Sequence, residues 1–287
     1  MNTDQRELLV CRILSGIYRC KIKDKIFVIK YPSLNLQYEA QEYYLSLIEE
    51  LKFNEWYNSK TVVNVLIQRG LWDINGDKNL KEISRSIEDL KIDLYKSVLN
   101  QDTHRQIKKK LNMTRKKQEE MIGIRHSLDH ITIEGYASYM KNLFIFKNTV
   151  YENDKMVNLS FNQLQKLIQT YNSDRLNDIQ FRELARSEPW RSYWNSYKKN
   201  PFDLSNITED QRILVLFSNM YDSVYENPES PNDDIIEDDD MLDGWMIFNK
   251  RKYQKEKMGN QLEKHAGLNK HKNADEIFIP VSNKEDA

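Results

Sequence analysis

The apolar positions of this chain change period once near the N-terminus and then keep helical spacing almost to the end. Leu8, Leu9, Ile13 and Leu14 share one side of a helix over residues 4–15. Ile17, Cys20 and Ile22, then Ile26, Val28 and Ile29, flank Lys23-Asp24-Lys25 and predict a β-hairpin ending at Tyr31-Pro32. A lone hairpin is marginal in water, so this one is expected to pack on helices. From Ser33 onward Tyr38, Tyr44, Leu45, Ile48 and Leu51 return at helical spacing. The next helix carries Val62, Val63, Val65, Leu66 and Ile67, with Ser59 or Thr61 as its cap and Gly70 as its stop.

Residues 77–128 form the longest periodic block. Leu80, Ile83, Ile87, Leu90, Leu94 and Leu99 mark one stripe, and Ile107, Leu111, Met121 and Ile124 a weaker one. Asn100-Gln101-Asp102-Thr103 reads as the turn between them, so the block predicts a coiled-coil-like antiparallel arm. Residues 131–148 are the richest in apolar side chains and are expected to be the most buried helix. Shorter helices follow at Phe161–Tyr171, Asp178–Arg186 and Pro189–Tyr197, and Thr208 caps another through Tyr225. A break rich in Pro and Asp over Asn227–Asp240 precedes a last helix from about Met241 to Leu268.

The fold class is therefore mainly α: a helical bundle with a small N-terminal β-hairpin and a long antiparallel helical-hairpin arm. The chain divides into an N-terminal helix, hairpin and helix region (1–74), the arm (75–130), a helical body (131–228), an acidic segment (229–243), a C-terminal helix (244–268) and a tail expected to be disordered (269–287).

Composition changes this picture little. The 8 Gly and 6 Pro are too few for an all-β protein with many tight turns. Charged residues make up 30%, more than usual, which suits long exposed helices. The formal net charge is −1, so any electrostatic recognition must be local. Cys11 and Cys20 form no metal-type pair and read as free thiols of a reducing compartment. No signal peptide or spanning run is visible, which predicts a cytoplasmic protein with no membrane partner.

Candidate chemistry is sparse. His126 and His130 stand one turn apart in a His-Ser-Leu-Asp-His run, near an inverted zincin pattern. The shortened acid and the missing third ligand favour a local polar network, and no metal or other cofactor is expected. His104–Arg125 carries eight Lys or Arg against Glu119 and Glu120. Lys108, Lys109, Lys110, Arg115, Lys116 and Lys117 are its candidate phosphate contacts. The run lacks the interleaved aromatics that stack bases, so a solvated face is preferred over a nucleic-acid site.

The sharpest charge feature is Asp233–Asp240, within a stretch from Glu226 to Asn249 that has no basic residue. Like charges so clustered predict an extended, mobile segment that seeks a basic partner. They also suit the start of the next helix. Asp238, Asp239, Asp240 and Asp243, with the aromatic anchors Trp245 and Phe248, are the candidate partner-binding residues. The rival reading has the aromatics docking the last helix onto the body. Trp190, Tyr193, Trp194 and Tyr197 read as core, and Arg182, Arg186 and Arg191 as a loose latch for the acidic segment. Phosphate loops, GxSxG and kinase signatures are missing, so no enzymatic activity is expected.

Arg186-Ser187-Glu188-Pro189-Trp190-Arg191, Met220–Glu226 and Asp238–Trp245 together make the chain resemble a family of proteins encoded among the tail and baseplate genes of contractile tailed phages. The resemblance runs from Leu8 to about Lys257. It implies a tail or baseplate-hub assembly chaperone acting in the infected cell, with a hub or tape-measure protein as partner, and carries over no chemical role for any residue. A structural baseplate or neck component kept in the virion is the first alternative. A nucleic-acid-binding or transcription-associated factor using the basic arm is the second.

Overall fold

The computed structural model of the chain describes residues 1–22, 24–53, 56–197, 202 and 207–269. The predicted disordered tail lies almost wholly outside them. The fold is mainly α with one small antiparallel sheet. It forms two compact units from interleaved pieces of chain. The first comprises residues 1–84 and 115–232, the second 85–114 with the chain from Asp233 onward.

In the first unit, α1 (Thr3–Ser15) opens with Asn2 accepting from the Gln5 N–H while the Gln5 side chain answers the Asn2 N–H. It stops at Gly16, whose φ of 62° turns the chain directly into β1 (Ile17–Ile22). β1 pairs with β2 (Lys25–Lys30) from Ile17↔Lys30 to Ile22↔Lys25, as the alternating pattern predicts. The sheet then continues beyond that prediction through β3 (Val150–Glu152) and β4 (Lys155–Met156). Asn153 and Asp154 turn that second hairpin at φ 48° and 62°, a left-handed pair that Asn and Asp tolerate best after Gly. Tyr18, Cys20, Phe27, Ile29 and Val150 line one buried sheet face against Leu167, Phe146 and Tyr171.

Helix α2 (Leu34–Leu51) packs on α6 (Ile133–Lys147) across Ala40, which is fully buried and small enough for close approach. The cap of α3 (Ser59–Gln68) is Asn58, not Ser59 or Thr61; its Oδ1 accepts from the Thr61 N–H at 2.8 Å. Gly70 follows α3 with φ 69°, as expected. Val62 and Leu66 then gather Trp72, Leu80, Met121, Leu128 and Ile131 into a small core. The last three of these come from around the C-terminal end of the predicted arm, so that end is packed rather than freestanding.

Helices α7 (Phe161–Ser173), α8 (Asp178–Arg186), α9 (Trp190–Ser196) and α10 (Glu209–Tyr225) complete the unit. α10 buries Gln211, Leu214, Phe217, Ser218, Tyr221 and Val224, against Ile133, Ala137 and Leu143 for α6. The most buried helix is thus α10. The apolar residues of α6 surround its axis, so one neighbouring layer cannot cover them all. Trp190 and Trp194 are core, as predicted: Trp190 Nε1 donates to Ser218 at 2.7 Å, and Trp194 Nε1 to Asp222 at 2.7 Å.

The second unit holds the distal parts of α4 (Gly76–Lys96) and α5 (Gln101–Arg125), with α11 (Asp233–Glu237) and α12 (Asp239–Asn269). Asn100 Oδ1 accepts from the Thr103 N–H at the predicted turn. Leu90, Leu94 and Leu111 form a core with Ile235 and Met241, flanked by Ile87 and Ile107. The arm's inner stripe is therefore covered by the acidic segment and the start of the last helix.

Candidate functional site

The acidic segment is where sequence and structure part most clearly. It is helical, not extended, because Ile235 and Ile236 within it are buried and pull it onto the arm. Asp238 begins α12: its Oδ1 accepts from the N–H groups of Asp240 (3.0 Å) and Met241 (3.2 Å). Its Oδ2 takes Lys108 Nζ at 2.8 Å. Lys91 Nζ lies 2.5 Å from Asp243 and 3.8 Å from Asp240. The basic partner this segment was expected to seek is thus its own arm. Asp239 is partly exposed in the same turn.

The aromatic anchors are likewise engaged. Trp245 is 6% exposed and docks the helix. Phe248 is half-buried against Tyr95, with Lys96 Nζ 4.9 Å above its ring. A groove of about 540 Å³ opens beside it between α4 and α12.

Burial pushes the Asp238 carboxyl up, but the bond from Lys108 and the N–H donors of Met241 and Asp240 outweigh it and hold it below the ordinary 3.8. A carboxyl so lowered contributes stability that is complete above its unfolded value and is lost as pH falls through the folded one. Amide-exchange protection of the second unit should therefore fall below about pH 4. Lys108→Gln should flatten that fall. An unchanged slope in the variant would show that the pair does not set it. Changing Asp238, Asp239 and Asp240 to Asn thus weakens the unit itself, and weaker partner capture by that variant would not identify a binding site.

The basic candidates differ in exposure and pairing. Lys109, Lys110, Lys116 and Lys117 are exposed, Lys108 is paired with Asp238, and Arg115 is half-buried. His126 Nδ1 meets Asp129 Oδ2 at 2.7 Å, the local network expected, and no group of His, Cys, Asp or Glu among the described residues is arranged to hold a metal. Arg191, expected in a latch, pairs with Asp222 at 2.9 Å, and Arg186 donates to Tyr221.

Two features of the first unit escaped the sequence reading. One is a cleft of about 470 Å³ over the sheet, α1, α7 and the start of α10. Arg12 spans it, donating to the Asp174 carbonyl and to Asp210, each at 3.1 Å, over the Tyr18 ring. Tyr18 donates to Asp174 Oδ2. Burial and that bond push the Tyr18 hydroxyl up, and burial does the same to Tyr171 and to the Cys20 thiol. The cleft thus presents the Arg12 guanidinium and the Tyr18 and Tyr171 rings.

The other feature is α2. This 18-residue helix buries one side chain, Ala40. Leu34, Tyr38 and Leu45 repeat on its outer face at 63%, 64% and 51% exposure. Beyond its end, Phe53 is 93% exposed, and Trp56 is 40% exposed beside Tyr136. Exposed apolar side chains gathered on one face can mark an interaction site. No family model, curated protein or solved structure matches the chain. No helix among the described residues is long and apolar enough to cross a membrane.

Proposed function

We propose that the chain is a non-catalytic assembly factor of a tailed phage, a tail or baseplate-hub chaperone that covers an apolar surface of another tail protein. The observation that carries the binding half of this reading is the outer face of α2, where Leu34, Tyr38 and Leu45 stay more than half exposed. The phage half rests on the sequence resemblance.

The charge around the stripe describes the partner. α2 contains Glu39, Glu42, Glu49 and Glu50 and no basic residue. Glu49 and Glu50 stand in its last turn, where the exposed carbonyls already concentrate negative charge. That local cost is offset by a partner whose apolar patch has a basic rim. An apolar centre inside a charged rim also suits a contact that must form quickly and then release.

Affinity capture of the tagged chain from infected cells, with a copy count in finished virions, tests the reading. A tail or hub protein in the capture and no tagged chain in virions is the expected result. Stoichiometric copies in virions would replace it with a structural component. Nucleic acid lost on raising salt would replace it with the basic face of α5.

The α2 stripe gives a residue-level prediction. Leu34→Glu, Tyr38→Glu and Leu45→Glu together should reduce capture at least about tenfold, since central apolar anchors carry most of an interface's energy. Chain stability should change little, because these side chains are already in water. Undiminished capture by the folded triple variant would remove α2 from the interface.

A further inference from the structure

The apolar patch with a basic rim that α2 calls for exists on the chain itself, on the outer face of the sheet. One sheet face is buried against Leu167 of α7. Strand alternation sends Arg19, Lys21, Ile26, Val28, Tyr151 and Met156 to the other. The register sets Arg19, Val28, Tyr151 and Met156 side by side across all four strands, with Lys21 and Ile26 as the neighbouring pair. Ile26 is 57% and Met156 61% exposed, and Val28 and Tyr151 are half-buried, so the apolar centre is open.

Its border is cationic. Arg19 and Lys21 are exposed, and Lys30 Nζ lies 4.3 Å over the Tyr151 ring. The acids of these strands and turns lie elsewhere. Glu152 falls on the opposite face, paired with Lys25 at 2.9 Å, and Asp24 and Asp154 stand in the two hairpin turns.

The outer face of α2 has the complementary pattern. Glu42 and Glu49 follow Tyr38 and Leu45 by one helical turn and so share their side of the helix, with Glu39 and Glu50 close by. Lys52 at the helix end and Lys141, which donates to Gln41 at 2.6 Å, offset part of that charge. Four carboxylates against two cations leave the stripe acidic. The sizes also agree. Leu34 to Leu45 covers about 17 Å of helix. The sheet face is about 14 Å wide over three strand spacings, and Ile26 to Lys30 runs about as far along β2. Both faces are exposed within one copy, so a meeting between them needs a second.

We infer that the outer sheet face of one copy docks on α2 of another, apolar centre on apolar stripe, with Arg19 and Lys21 against Glu42 and Glu49. The inference rests on the reading of α2 as a docking face, and it adds that the chain covers that face itself until a tail protein displaces the second copy. Every copy carries both surfaces, so the contact closes as a reciprocal dimer or a ring, or runs on as a chain of copies. The patch is smaller than the roughly 800 Å² per partner of a standard stable interface, so the association is weak and exchangeable.

Sedimentation velocity of the purified full chain tests this with two charge-reversed variants. The mean mass of the parent should rise with concentration at low salt and less at high salt. Arg19→Glu with Lys21→Glu makes both faces acidic, and Glu42→Lys with Glu49→Lys makes both basic. Each variant alone should associate at least about tenfold more weakly than the parent, because like charges then oppose across the contact. An equal mixture of the two should associate like the parent, since each reversed face meets its complement. All four sites are exposed, and recovery in the mixture shows that both variants are folded. A parent that stays monomeric at about 1 mM would overturn the inference. So would parent-like association of either variant alone, or a mixture that does not recover. The reading of α2 as a tail-protein site is scored separately, by capture from infected cells with the Arg19→Glu, Lys21→Glu variant. Its α2 is unchanged, so absent capture would sink that reading and leave the measured self-association standing.

Discussion

Replacing Gly244 by alanine should cost the second unit about 2–3 kcal/mol, the range for overpacking a tight contact. Intrinsic propensity predicts the opposite sign, since alanine gains about 1 kcal/mol over glycine inside a helix. The contact decides. A Cβ on Gly244 would lie 2.0 Å from the Lys91 carbonyl oxygen, 2.6 Å from its carbon and 3.1 Å from Tyr95 Cβ. Two of these are backbone atoms, so no rotamer change relieves them. α12 would have to move off α4, lifting Leu242 and Trp245 from their seats and stretching the Lys91–Asp243 pair. Gly123 on α5 provides the control. Nothing lies within 4 Å of its missing Cβ, so Gly123→Ala should stabilise by roughly 0.5–1 kcal/mol. The readout is amide exchange resolved by unit, because two units need not unfold in one transition. Equal effects at the two glycines would mean that α12 does not approach α4 this closely.

The same contact shows why some features were legible in the sequence and others were not. The first hairpin was legible because six-residue strands repeat at period two, and the start of α10 because Thr208 and Gln211 form a local capping box. The second hairpin carries a good turn pair in Asn153-Asp154, but strands of three and two residues cannot establish a period. The acidic segment was misread for a different reason. Lys91 and Lys108 lie more than 120 residues from the carboxylates they pair with, so a charge run read locally looks unpartnered. The clue within the run was Ile235-Ile236, an apolar pair that a solvated segment does not need. In α2, Ala40 selects the face that meets α6. Leu34, Tyr38 and Leu45 recur at helical spacing as a buried stripe would, and only the packing shows that this one stays open. Of the candidate site, the sequence supplied the residues of α12, and the fold shows the contacts they make within their own unit.

Asp222→Ala should destabilise the first unit by about 3 kcal/mol, the low end for breaking a buried pair. Its side chain is 14% exposed, and among the described residues its carboxylate accepts from Arg191 Nη2 at 2.9 Å and Trp194 Nε1 at 2.7 Å. The Arg191 side chain is 18% exposed, and its Nη1 already has no hydrogen-bond partner among the described residues. Removing the acid leaves a guanidinium with less solvation and no counter-charge there, and an indole N–H without its acceptor. Asp222→Asn separates the two terms. It keeps an acceptor for Trp194 and discards the charge, so it should cost less than alanine. A second substitution tests the charge directly. If the stranded guanidinium dominates, adding Arg191→Met to Asp222→Ala should recover at least about 1 kcal/mol, because an apolar side chain tolerates the site that an unpaired cation does not. A double variant no more stable than Asp222→Ala alone would put the cost in the lost indole bond and the packing of Trp194 instead. That packing is shared with Trp190, stacked at 6.0 Å and itself bonded to Ser218, so the loss would spread along α9 and α10. Exchange data for those two helices, read in all three variants, distinguish the outcomes.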